Sequence, residues 1–82
     1  MIEGMEGKSF NRIKAVLAEQ KTTQKELAIA LGVAEGTVST WCRNFKQPEI
    51  QTLFKIAWHL KIEAYTLISP MEAAGLIIKP AK

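Results

Sequence analysis

The chain of 82 residues has room for one domain around one modest core. Its 48% hydrophobic content suits a globular protein, and its apolar runs are only a few residues long, which excludes a membrane-spanning helix. One cysteine, Cys42, and one histidine, His59, exclude an internal disulfide and leave a structural zinc site short of ligands, while a net charge of +3 permits a polyanionic partner without demanding one.

In chain order, residues 1–8 read as a leader with Gly4 and Gly7. The leader lacks the apolar run of a signal peptide, so the cytoplasm is the expected compartment. Ser9 is positioned to cap a first helix carrying Phe10, Ile13, Val16 and Leu17 on one face, ending near Gln20. Thr23-Gln24-Lys25-Glu26 has the form of a capping box. A short second helix follows, with Leu27, Ala28 and Leu31 inward, and Gly32 sits where a left-handed residue stops a helix at little cost. The apolar pattern restarts at Val33, and a third helix is expected over 35–43, burying Val38, Trp41 and Cys42. After a loop containing Pro48, a fourth helix is expected to turn Ile50, Leu53, Phe54, Ala57 and Leu60 inward. A short fifth helix over 64–68 adds Leu67 and Ile68 and stops at Ser69-Pro70. The reading is therefore an all-α domain over 9–69 with a tail over 70–82. In that tail, 71–74 has the length of one helical turn. Leu76, Ile77 and Ile78 either fold back on the core or form an arm toward a second subunit.

The informative stretch is 24–41. Two short helices must cross steeply around a tight turn, and Ala28 and Gly32 permit the close approach. Glu35, Gly36, Thr37, Ser39 and Thr40 are left on the outward side of the third helix. A surface selected only for helicity would favour lysine, glutamate, arginine and alanine, whereas Gly36, Thr37, Ser39 and Thr40 are middling or poor helix formers. Short polar side chains suit close entry into a DNA major groove. No catalytic loop surrounds Cys42, so an enzyme is not expected, and no cofactor or metal is implied.

Gln24-Lys25-Glu26-Leu27-Ala28, Leu31-Gly32-Val33 and Thr37-Val38-Ser39-Thr40-Trp41 together resemble the phage Cro and repressor helix-turn-helix family. Gln47-Pro48-Glu49, Leu53 and Lys55-Ile56-Ala57 resemble its loop and fourth helix. The resemblance covers most of 10–68. It implies a compact five-helix domain, a third helix that reads the major groove, and homodimers on two-fold-related half-sites of operator DNA. Carried over by position, base reading falls on Glu35, Gly36, Thr37, Ser39, Thr40 and Arg43. Phosphate contact falls on Gln24, Lys25, Asn44, Lys46 and Gln47, with Lys25 the weaker candidate. Trp58, Tyr65, Leu76, Ile77 and Ile78 are the dimer-interface candidates.

The sequence departs from the family pattern in four places. Ala34 stands where serine or threonine usually caps the third helix. Gly36 replaces a long polar side chain, so either DNA comes very close there or the position reads nothing. Glu35 either accepts from cytosine or serves the helix dipole. Leu17 and Cys42 occupy the positions of an arginine–glutamate pair and are expected to replace it by packing. The expected function is that of a small DNA-binding transcriptional regulator, a repressor by preference. Two rivals remain: a helical protein–protein module, and an antitoxin that also holds a toxin.

Overall fold

A computed structural model describes residues 8–76. Four α-helices, α1 (Ile13–Glu19), α2 (Gln24–Leu31), α3 (Glu35–Cys42) and α4 (Ile50–Leu60), are followed by a 3-10 helix over Ala64–Leu67. The described residues contain no strand; the one β-type pairing among them is an isolated antiparallel bridge between Asn11 and Ile68. The all-helical expectation stands, with the fifth element wound more tightly than an α-helix.

The core forms where the inward stripes of the helices meet. Ile13, Val16 and Leu17 enter from α1, Leu27 and Ala28 from α2, and Val38, Trp41 and Cys42 from α3. Ile56, Ala57 and Leu60 enter from α4, and Leu67 closes the base. Leu17 and Cys42 are thus both core residues, as expected of an apolar replacement for an ion pair. Burial also raises the pKa of the Cys42 thiol, opposed by the charge of Lys14, which suits a packing role better than a reactive one.

Several details correct the sequence reading. Ser9 does not cap α1, which begins at Ile13. The backbone N–H groups of Phe10 and Asn11 both donate to Asn44 Oδ1, at 2.8 and 3.0 Å, which holds this stretch out of the helix. Ser9 instead places its hydroxyl 3.0 Å from that of Ser69. On α4 the inward stripe runs through Leu53, Ile56, Ala57 and Leu60, so Ile50 and Phe54 face solvent. The inward line of an α-helix is about 100° wide. Five apolar residues cannot all share it with Ile56, and the two furthest from its centre are displaced. Val33 and Ile68 are likewise exposed, Val33 because it lies in the turn after Gly32 and Ile68 because the chain has become extended there. Residues 71–75 form a turn that folds back, with Ala74 buried and the Ser9 N–H donating to the Ala73 carbonyl. Ile77 and Ile78 lie outside the described residues.

Candidate nucleic-acid interface

The geometry of α3 is set from both sides. Its start is held by α2, which the capping box fixes: Thr23 Oγ1 accepts from the Glu26 N–H at 3.0 Å, and Glu26 Oε1 accepts from the Thr23 N–H at 2.8 Å. The hydrogen bond from the Thr23 N–H, and to a smaller degree the Thr23 side chain, favours the carboxylate, so the Glu26 pKa is lowered. Gly32 adopts φ +73° and ends α2, and the Val33 N–H then donates to the Ala28 carbonyl at 3.0 Å, closing the tight turn. Ala34 begins α3 without a side-chain cap, as its lack of a hydroxyl requires. α3 is therefore held in place by burial of Val38, Trp41 and Cys42 along its back.

The other end of α3 is fixed by a polar cluster that the sequence did not announce. Asn11 is only 5% exposed. Its Nδ2 donates to the Trp41 carbonyl at 3.0 Å and to Gln47 Oε1 at 2.7 Å, while its Oδ1 accepts from the Ile13 N–H at 3.0 Å. Asn44, two residues past α3, has φ +59°, a conformation asparagine tolerates better than most residues. Besides the two N–H groups of the N-terminal stretch, its Oδ1 accepts from Gln47 Nε2 at 3.1 Å, and its Nδ2 donates to the Asn11 carbonyl at 3.3 Å. Among the described residues no buried side-chain polar atom lacks a partner, so the cluster is fully satisfied. These bonds bear on the expectation that Asn44 and Gln47 reach phosphates: the half-buried Asn44 side chain is engaged with the N-terminal stretch, orienting the end of α3, while Gln47, though bonded to Asn11 and Asn44, is exposed. Asparagine just beyond a helix end was the available signal for Asn44; for Asn11 the signal was only an asparagine two residues ahead of the helix start, where its Oδ1 accepts from the Ile13 N–H, while its other partners lie 30 or more residues away.

With its back and end fixed, α3 turns a defined face outward. Gly36, Thr40 and Arg43 stand at i, i+4 and i+7 along one line, opposite Val38, Trp41 and Cys42. Glu35 and Thr37 flank that line and are exposed; Ser39 and Thr40 are half-buried. The Thr40 hydroxyl donates to the Thr37 carbonyl at 2.7 Å, so outward it offers acceptor lone pairs and a methyl group. Gly36 has an ordinary helical φ, and a Cβ built there meets nothing within 4 Å. The fold does not need glycine at this position, and its lack of a side chain leaves the backbone open to close approach.

The remaining candidates fall on two other parts of the surface. Gln24 and Lys25 open α2, where the first N–H groups have no intrahelical partner. Lys46 is exposed in the loop after α3. Trp58 and Tyr65 are exposed, Trp58 at 82%. Trp58 and Phe54 belong to an open groove of about 370 Å³ between α2 and α4, lined also by Ala30, Leu31, Lys55 and His59. Leu76 is half-buried. No helix among the described residues is long and apolar enough to cross a membrane.

Comparison with known proteins agrees with this architecture. A helix-turn-helix family model matches residues 13–67, which span α1 through the 3-10 helix. A solved structure from Bacteroides fragilis, of a protein whose name proposes DNA binding, is similar at 43% identity with a TM-score of 0.72; the similarity covers 73% of this chain and 97% of that one. No match was found among curated proteins. By the matched span and the geometry of α2 and α3, the chain belongs to the helix-turn-helix family of Cro and repressor type, a family of regulators and not of enzymes.

Proposed function

We propose that this protein is a cytoplasmic transcriptional regulator, acting as a repressor, that binds a specific double-stranded DNA site as a homodimer with α3 in the major groove. The observation that carries the reading is the outward line of Gly36, Thr40 and Arg43, on a helix whose back is buried and whose surface is a poor choice for stability alone. Glu35, Thr37 and Ser39 complete the base-reading face. Gln24, Lys25 and Lys46 take phosphates, with the open N–H groups at the start of α2 assisting. The net charge of +3 supplies modest electrostatic attraction, so discrimination rests on the α3 face. Exposed Trp58 and Tyr65, with Leu76, supply apolar surface for the second copy, and the two α3 helices then meet successive major grooves roughly 34 Å apart.

Selection of bound sequences from random DNA tests the whole reading, and a palindromic consensus is the expected result. Thr40→Val keeps the shape but removes the acceptor. It is expected to lose about 1–3 kcal/mol of discrimination at one base pair per half-site. Lys46→Ala is expected to weaken binding to every sequence and to flatten its salt dependence. The base-reading assignment fails if the two variants show the same sequence-blind loss.

A further inference from the structure

The loop that follows α3 carries an aromatic residue the fold does not use. Phe45 is 73% exposed, yet its backbone is firmly placed. The left-handed turn at Asn44 brings the chain back, and the Phe45 N–H donates to the Thr40 carbonyl at 3.0 Å. The ring then lies under the Arg43 guanidinium, whose central carbon is 4.6 Å from the ring centroid. This distance is well inside the range in which a cation is attracted to an aromatic face. Arg43 belongs to the outward line that also holds Gly36 and Thr40.

We propose that Phe45 is a positioning residue for Arg43: it holds the guanidinium flat at the end of α3 so that its N–H fork reads a guanine at the edge of the half-site. The inference rests on the DNA-reading assignment above and adds a specificity element to it. Stacking covers one face of the guanidinium and leaves its N–H edges free. Guanine presents N7 and O6 in one plane toward the major groove, which matches a planar fork of donors. An unrestrained arginine must lose its side-chain freedom on docking, and prior stacking removes part of that cost. The expected advantage is about 2- to 10-fold in affinity for the preferred site.

The test uses the full chain and the DNA site selected from random sequence. Wild type, Arg43→Lys, Phe45→Ala, Phe45→Leu and Phe45→Trp are titrated against that site and against its single-base variants, at two salt concentrations. Phe45→Ala is expected to bind the selected site about 2- to 10-fold more weakly. The loss should be concentrated at the one G·C pair that Arg43→Lys also ceases to distinguish. Phe45→Trp should restore it and Phe45→Leu should not, because only an aromatic face attracts the cation. Thermal unfolding of Phe45→Ala should match wild type, since the ring is exposed, and the slope of affinity against salt should not change.

An equal loss at every site variant, full rescue by leucine, or unaltered binding by Phe45→Ala would each overturn the pairing. A wild-type protein with no base preference would remove the DNA-reading assignment and this inference with it. A wild type that discriminates normally beside an indifferent Phe45→Ala removes only the role of Phe45.

Discussion

α2 and α3 are each eight residues long and pack against one another, yet they are built to opposite rules. α2 is locally self-sufficient. It has a reciprocal capping box, an acidic residue in its first turn, good helix formers in Lys25, Glu26, Leu27 and Ala28, and a glycine stop. α3 has an uncapped start, a glycine in its first turn, three hydroxyl residues and no glycine stop. What α3 lacks locally it receives from elsewhere: apolar burial along its back, and the Asn11–Asn44–Gln47 cluster at its end. On the proposed function, the difference separates the helix that docks from the helix that reads. Where local rules largely suffice, the sequence agrees with its conformation; where they do not, tertiary contacts make up the deficit.

The contrast can be broken first at its tertiary side. Asn11→Ala removes the buried donor to the Trp41 carbonyl and to Gln47, and the acceptor for the Ile13 N–H. It is expected to destabilise the domain by about 2 kcal/mol in denaturant unfolding. DNA affinity should fall further than the folded fraction alone explains, because the end of α3 loses its alignment.

A local change in α2 should matter less. Thr23→Ala is expected to cost about 1 kcal/mol near neutral pH. Its pH dependence follows from the lowered pKa of Glu26. The stabilisation that the Glu26 carboxylate supplies is fully present above its ordinary pKa and is lost as pH falls through the lowered one. Because alanine keeps the N–H that holds the carboxylate, wild type and Thr23→Ala should both lose this contribution as the pH is taken below about 4.5, the ordinary value for this group, whereas Glu26→Gln should not show that loss. A Glu26→Gln protein with the same acid dependence as wild type would remove the carboxylate from the cap.

The smallest effect sharpens the comparison most. Gly36→Ala fills open space on an ordinary helical backbone, so it is expected to stabilise the fold by about 0.5–1 kcal/mol. If the bare backbone there admits DNA, the same variant binds its site more weakly while melting later. A variant that gained on both measures would show that position 36 faces only water.

The parts of the molecule that were legible in the sequence are those governed by short-range rules. The capping box at Thr23, the stop at Gly32, the weak start at Ala34 and the buried back of α3 all depend on residues within a few positions of one another. Ser9 was misread because a serine ahead of an apolar stripe looks like a cap whether or not the backbone that follows is pulled aside, here by Asn44 from 33 or more residues away. Ile50 and Phe54 were misread because α4 carries more apolar residues than one stripe accommodates, and only the packed neighbours decide which face wins. In the candidate site, the outward residues of α3 followed from helical period alone. The engagement of Asn44 and Gln47 with Asn11, and the seating of Arg43 on Phe45, depend on a left-handed turn and a distant asparagine that no local pattern reveals.

The stretch 9–12 works as a clasp. Asn11 and Phe10 join it to Asn44, the Arg12 N–H and guanidinium donate to the Leu67 and Thr66 carbonyls, and the Phe10 carbonyl and Ser9 N–H meet Ser69 and Ala73. The front of the domain is therefore completed by its back. The complete helix-turn-helix sequence lies within α1 to α4, but the carbonyls and amide that close the clasp come from residues 66–73, beyond α4. The N-terminal stretch and the segment over 66–73 therefore stabilise each other, and removing either is expected to loosen the other in denaturant unfolding.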